Sequence, residues 1–315
     1  MARFFNTAGP NRDDWHYTVP APTRLPELRR LVEARQWFVL HAPRQSGKTT
    51  AMRALANDLT ASGDYAALWA TCEMGEAASD APAAVSQLLV NDIDRNAALW
   101  LPKARRPPPP DAVPAGADQL ANYLKVWCET CPRPVVLLLD EIDALHDAAL
   151  SSVLRQLRGL YPNRPHGAPA SLALIGLRDV RGDKPGPAGK PRQSSASPFN
   201  VKVKSLTLRN FSGHDVAELY AQHSRETGQV VASAAVELVY ELSQGQPWLV
   251  TALGHEICTE MGVAGPIEPR HVLLAKERLL GGRTTHLDNL ADKLQEPRVR
   301  AVLAPLLAGD ELPLE

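Results

Sequence analysis

No stretch of the sequence approaches the run of about eighteen apolar residues that a membrane-spanning helix needs. The start, Met1-Ala2-Arg3-Phe4-Phe5-Asn6, lacks the apolar core and cleavage site of a secretory signal, so the expected setting is cytoplasmic with no membrane partner. The four cysteines, Cys72, Cys128, Cys131 and Cys258, are too sparse for a disulfide framework and read as thiols of a reducing compartment. Cys128 and Cys131 have CxxC spacing, but no second pair follows, and two ligands cannot close a tetrahedral zinc site. The pair also precedes a predicted strand, whereas a redox CxxC opens a helix after one. Charge of one sign is missing too: 34 Lys and Arg stand against 35 Asp and Glu, so no global field draws nucleic acid or anionic lipid. Neither an internal repeat nor a heptad run is present.

What remains is a chain of 315 residues, 44% hydrophobic, long enough for a large core and a smaller second domain. Residues 1–24, with Phe4, Phe5, Trp15, His16 and Tyr17, read as an extended arm whose aromatics need something to cover. A helix is predicted from about Leu25 to Arg35, then a buried strand at Trp37–Leu40. Thr49 to Thr60 reads as a helix stopped near Ser62-Gly63, and Ala66 to Thr71 as a strand. Helices at about Ala81 to Leu99 and Ala117 to Thr130 flank Pro107 to Pro110, which cannot be helix interior and form a surface insertion. Val135 to Leu139 is apolar at every position, as a central parallel strand requires. Leu150, Val153, Leu154, Leu157 and Leu160 recur at helical spacing, and Leu172 to Gly176 is the next strand.

From Arg181 to Pro198 the composition turns to Gly, Pro, Ser and basic residues, which predicts a mobile loop. A strand at about Asn200 to Leu208 follows. Beyond it the pattern is helical, opened by Ser212 and Asp215 as a capping box and punctuated by glycines.

Chemistry concentrates at Ala42-Pro43-Arg44-Gln45-Ser46-Gly47-Lys48-Thr49. A loop of form GxxxxGK[ST] between strand and helix holds phosphates because free helix amides and the dipole favour anions while lysine adds a point charge. Here Ala42 stands where the first glycine is usual. Pro43, Arg44, Gln45, Ser46, Gly47, Lys48, Thr49 and Thr50 are the expected nucleotide-holding set, for Mg-ATP. Lys48 is assigned to the terminal phosphates and Thr49 to magnesium. Asp140-Glu141 follows a buried strand at the end where parallel sheets bind ligands. Asp140 is assigned to the metal and Glu141 to the attacking water, which predicts hydrolysis. The alternative for Asp140 is a helix cap. Arg178, at the tip of the strand ending Gly176, could reach a γ-phosphate or pair with Asp179 or Asp183. Arg155, Arg158 and Arg164 are candidate arginine fingers for a neighbouring subunit.

The order Ala42–Thr50, Val135–Asp143, Leu172–Asp179 and Gly245-Gln-Pro-Trp248, together with Phe4-Phe5-Asn6-Thr7-Ala8-Gly9-Pro10 and Ser197-Pro-Phe-Asn200, resembles the bacterial AAA-like domain ATPases. These are related to the STAND signalling ATPases and to the archaeal origin-recognition and archaeal-type ATPases. The resemblance implies an α/β fold: a P-loop NTPase αβα core with a parallel five-stranded sheet, order 5-1-4-3-2, plus a helical lid. The corresponding division is an arm at 1–24, a core at 25–208, a lid at 209–280 and a C-terminal helical segment at 281–315, the start of a further domain that such proteins carry. In STAND relatives a GxP turn sets proline against adenine, which Gly245-Gln246-Pro247 matches; the plainer reading is that Gly245 ends one helix and Pro247 opens the next. The same resemblance makes His16 and Tyr17 candidates for the base, against plain aromatic packing.

Three functional readings follow. One is an ATP-driven conformational switch acting through self-association or a protein effector. Another is a DNA-associated ATPase, supported locally by Arg178, Arg181, Lys184, Lys190, Arg192, Lys202 and Lys204. A nucleotide-stabilised scaffold without turnover is the third reading.

Overall fold

The apolar runs become strands because, bounded by turn residues and greasy on both faces, they are satisfied only inside a sheet covered from both sides. In the computed structural model, which describes residues 3–20, 24–177 and 204–282, the strands are β1 Trp37–His41, β2 Ala66–Thr71, β3 Val135–Asp140, β4 Ser171–Gly176 and β5 Lys204–Thr207. They lie parallel in the order β2-β3-β4-β1-β5. Read from the other edge, this is the expected 5-1-4-3-2. The register sets His41 beside Gly176 and Thr71 beside Asp140, so the C-terminal ends of β1, β2, β3 and β4 come together. Neither the basic loop Arg181–Pro198 nor the helical pattern Leu287–Leu307 falls among the described residues.

Among the described residues five α-helices clothe the sheet: α1 Glu27–Glu33, α2 Lys48–Ala61, α3 Pro82–Trp100, α4 Gln119–Thr130 and α5 Asp147–Leu160. Each buries one stripe, as α5 does with Leu150, Val153, Leu154, Leu157 and Leu160. Gly63, at φ +86, turns the chain out of α2. The proline-rich insertion is less of a free surface loop than its composition predicts. The Arg105 guanidinium donates to the carbonyls of Thr60 and Tyr65, the Arg105 carbonyl accepts from Trp127 Nε1, and Leu101 and Val113 on either side of the prolines are buried. Cys128 and Cys131 sit at the end of α4 as free thiols, and burial pushes both up. Cys72 lies one residue past β2 and is fully buried.

The chain divides into two compact units, Val19–Asn210 and Met1–Thr18 with Phe211–Glu315. The second contains α6 Gly213–Thr227, α7 Ser233–Ser243, α8 Pro247–His255 and α9 Pro269–Gly281. The predicted capping box opens α6: Ser212 Oγ accepts from the Asp215 amide at 3.1 Å, and Asp215 Oδ2 accepts from the Ser212 amide at 2.8 Å. Of the N-terminal aromatics, Phe5, His16 and Tyr17 are buried in this unit, whereas Phe4 and Trp15 are exposed. Phe5 is buried with its ring 4.9 Å from those of Tyr17 and Tyr220, and Tyr17 Oη lies 3.2 Å from His223 Nδ1. For Tyr17 the packing reading holds: no part of it is exposed.

Candidate functional site

The site grows from three chain segments that the sheet brings to one edge. The first is the loop between β1 and α2. Gly47 adopts φ +81 and begins α2, a conformation that costs an L side chain about 1 kcal/mol or more. The first helical bond is Ala51 N–H to Gly47 O, so the amides of Lys48 and Thr49 lie ahead of the hydrogen-bonded ladder. Gln45, at φ +59, makes the other left-handed turn. Ala42 does not lie in the left-handed region; it is buried, with its amide donating to Gly176 O at 3.2 Å. The loop thus places its special torsions at Gln45 and Gly47, and alanine is no obstacle where the first glycine is usual.

The Lys48 ammonium is buried and donates to Ala42 O at 2.9 Å and Pro43 O at 3.0 Å. Burial pulls its pKa below that of an ordinary lysine, an effect opposed by Glu141, Asp140 and Asp143. Ser46 Oγ is buried without a hydrogen-bond partner. Arg44 is exposed on the loop, and Thr50 follows in the first turn of α2.

The second segment is the end of β3. Asp140 is fully buried, and its Oδ2 accepts from Thr49 Oγ1 at 2.7 Å and from Trp69 Nε1 at 3.1 Å. Its Oδ1 accepts from the Glu141 amide at 3.0 Å. Asp140 therefore ties strand to loop and does not cap a helix through its side chain. Glu141 turns the chain with φ 53, and burial, then the neighbouring Asp140, raises its pKa, with Lys48 pulling the other way. The third segment is the end of β4, where Asp143 Oδ1 accepts from the Leu177 amide at 3.2 Å. Arg178, the residue after it, lies outside the described residues.

The structure thus brings Lys48, Thr49, Asp140 and Glu141 together. Pro247 belongs to the other compact unit, at the first position of α8, with Gly245 at φ +68 before it and Trp248 Nε1 donating to Thr7 O at 3.0 Å. Of the arginines offered as fingers, Arg155 and Arg158 are exposed on α5, whereas Arg164 stacks on Tyr161 and donates to Arg35 O. Lys204, counted with the basic loop, pairs with Glu27.

Three residues near the site carry no motif. The Arg24 guanidinium lies 3.2 Å from where a Cβ on Gly47 would stand, and it is anchored on Arg209 O. Trp69 reaches Asp140 along the sheet face, and Arg53 covers the Trp69 ring with its guanidinium 4.1 Å from the centroid. Arg53 alone had a signal in the sequence, since it stands four residues after Thr49 and so on the same face of α2.

A triphosphate with a divalent cation fits these groups. The Lys48 ammonium and the Arg24 guanidinium beside Gly47 offer positive charge, a buried serine hydroxyl awaits an acceptor, and one hydroxyl with one carboxylate is a hard-oxygen pair suited to magnesium. Among the described residues no group of three or more His, Cys, Asp or Glu could hold a metal, so such a cation would complete its shell with phosphate and water. Among the described residues, too, no helix is long and apolar enough to cross a membrane.

Comparison with known proteins agrees with this geometry. Residues 30–182 match the family of the AAA domain. The Walker-type ATPase PABY2304 of Pyrococcus abyssi shares the fold at TM-score 0.62 and 14% identity, over 98% of this chain and 89% of that one. The Aeropyrum pernix ORC1 protein, solved in complex with DNA, does so at TM-score 0.50 and 16% identity, over 83% of this chain and 66% of that one. No curated protein matches the chain. Over residues 30–182 the chain carries an AAA domain and is of the AAA-like P-loop ATPase kind.

Proposed function

We propose that this protein binds Mg-ATP at the β1–α2 loop, hydrolyses it, and uses the cycle as a conformational switch toward another copy of itself or a protein effector. The observation that carries the reading is the Thr49–Asp140 hydrogen bond of 2.7 Å, which joins the phosphate loop to the acidic strand end with Lys48 and Glu141 beside it. Amides of Gln45 to Thr50 take the phosphate oxygens, with Pro43 and Arg44 completing the loop. Lys48 meets the terminal phosphates, and Arg24, against Gly47, adds a second positive charge near the phosphates. Thr49 and Asp140 hold magnesium, which when bound neutralises charge developing on the transferred phosphoryl group.

Glu141 orients the attacking water and accepts its proton as the water oxygen bonds to the γ-phosphorus and the bond to the ADP oxygen breaks. Its raised pKa, caused first by burial and then by Asp140, makes it a stronger base than an exposed carboxylate. Arg178 is assigned the sensing role from its sequence position two residues after β4, and Pro247 the adenine from resemblance. A cytoplasmic setting belongs to the same reading.

A DNA-associated ATPase is the second reading, favoured by the DNA complex of the structural neighbour from Aeropyrum pernix. One experiment addresses both: phosphate release from Mg-ATP by the wild type, Glu141→Gln and Lys48→Ala, across protein concentration, with and without DNA. Turnover by the wild type, binding without turnover by Glu141→Gln, and no binding by Lys48→Ala are expected. Stimulation by DNA would favour the second reading. Tight ATP binding with no phosphate release under any condition would leave a nucleotide-stabilised scaffold.

A further inference from the structure

The Asp140 carboxylate is held on both oxygens, and one of its three donors belongs to no phosphate-binding motif. β2 and β3 pair in parallel with Trp69 beside Leu138 and Thr71 beside Asp140, so Trp69 and Asp140 project from the same face, two residues apart along it. From there Trp69 Nε1 donates to Oδ2 at 3.1 Å, the oxygen that also accepts from Thr49. The indole is itself braced. Arg53, one turn beyond Thr49 on α2, lays its guanidinium 4.1 Å from the Trp69 ring, and its buried Nε has no hydrogen-bond partner. A cation over an indole face is attracted by the ring quadrupole.

We propose that Trp69, steadied by Arg53, is a positioning residue that fixes the Asp140 carboxylate in the orientation in which it receives the divalent cation of the nucleotide. The inference rests on the Mg-ATP reading above. An indole N–H is well suited to this role, since it donates one directed hydrogen bond, never ionises, and brings no positive charge that would compete with the metal for the carboxylate. A lysine or arginine in its place would neutralise Asp140. Thr49 is assigned to the same cation, and once its oxygen turns to the metal, Trp69 remains as a side-chain donor on Oδ2. Groups that orient a metal-binding carboxylate from behind commonly shift metal affinity or activity about 10- to 100-fold when removed.

The test is isothermal titration of the full chain with ADP, across a magnesium series and in EDTA, for the wild type, Trp69→Phe and Trp69→His. Phenylalanine keeps an aromatic ring for Arg53 and removes the donor. Histidine returns an N–H at the ring position that indole Nε1 occupies. Trp69→Phe is expected to raise the magnesium concentration for half-maximal tightening of ADP about 10-fold, with affinity in EDTA unchanged. Trp69→His is expected to recover most of that loss. An identical magnesium dependence for wild type and Trp69→Phe, or an equal weakening of ADP in EDTA, would overturn the assignment. If the wild type shows no magnesium-dependent ADP binding at all, the nucleotide reading falls and takes this inference with it.

Discussion

Thr49 and Asp140, 91 positions apart in the chain, meet through a 2.7 Å hydrogen bond from hydroxyl to carboxylate. The carboxylate is fully buried, and removing one of its donors costs about 1–3 kcal/mol of stability. The same two oxygens are assigned to one cation. Thr49→Ala and Asp140→Asn should each lower phosphate release by at least about 100-fold, and the double variant should be hardly worse than either single one, because groups acting as a unit are strongly non-additive. Single-turnover assays on the three variants check this, and fully multiplicative losses would mean that the residues act separately.

Glu141 makes two pH predictions with opposite signs. Burial and Asp140 raise its pKa, so activity that needs the ionised carboxylate should rise with pH through a value above the ordinary carboxylate range. That acid limb of kcat/KM should vanish in Glu141→Gln along with turnover. Stability runs the other way. Between the ordinary carboxylate value and the raised one, the folded chain binds more protons than the unfolded chain, so stability falls as pH rises through that window. Glu141→Gln, which has no such charge to bury, should melt higher than wild type at about pH 7 and show no such advantage near about pH 3. Thermal melts at the two pH values decide it.

Gly176 ends β4 in a place that admits no side chain. A Cβ there would stand 2.5 Å from Asp143 Oδ1 and 3.3 Å from Ile142 Cγ2. Accommodating it means breaking the hydrogen bond from the Leu177 amide to Asp143. Gly176→Ala should therefore destabilise by about 1–3 kcal/mol, the usual range for overpacking. It should also lower turnover, since the same movement displaces the turn that carries Glu141. Urea denaturation and phosphate release on one preparation test both halves. An unaltered midpoint would show that the turn adapts without cost.

Strands β1 to β4 were legible in the sequence because they are short, continuous and apolar, and the motif residues Lys48, Thr49, Asp140 and Glu141 stood out because the strand-to-helix and strand-to-acid contexts are local. The strand order came from resemblance, not from periodicity. Trp69 and Arg24 were not legible, for two different reasons. Trp69 needs the register of β2 on β3, which no single-strand pattern encodes, and Arg24 needs the path of the chain that enters α1 past the loop. Ala42 looked like a flaw in the phosphate loop only because the consensus assigns it a glycine; its own torsions ask for none. The proline tract was read as a surface insertion since composition reports local stiffness and says nothing of the anchor that Arg105 makes on Thr60 and Tyr65.

Gly245 precedes Pro247 in the turn between α7 and α8, and two independent constraints fall on it. Its φ of +68 disfavours any L side chain, and a Cβ would come within 1.9 Å of the Phe211 carbonyl oxygen. The close approach exists because Phe211 N–H donates to Gly245 O at 2.8 Å, which pins the chain entering α6 to the turn that opens α8. Gly245→Ala must break that bond or move both segments, and strain at such a position costs about 1–3 kcal/mol beyond the lost hydrogen bond. Pro247→Ala removes neither constraint, because proline at the first helical position gives up an amide that has no partner in the helix. The two variants therefore separate structure from ligand binding. Gly245→Ala should lower the melting temperature by several degrees with or without nucleotide, whereas Pro247→Ala should melt close to wild type in the absence of nucleotide. If Pro247 lies against the adenine, Pro247→Ala should also lose part of the stabilisation that ATP confers; if ATP stabilises it as fully as the wild type, the proline serves only to start the helix.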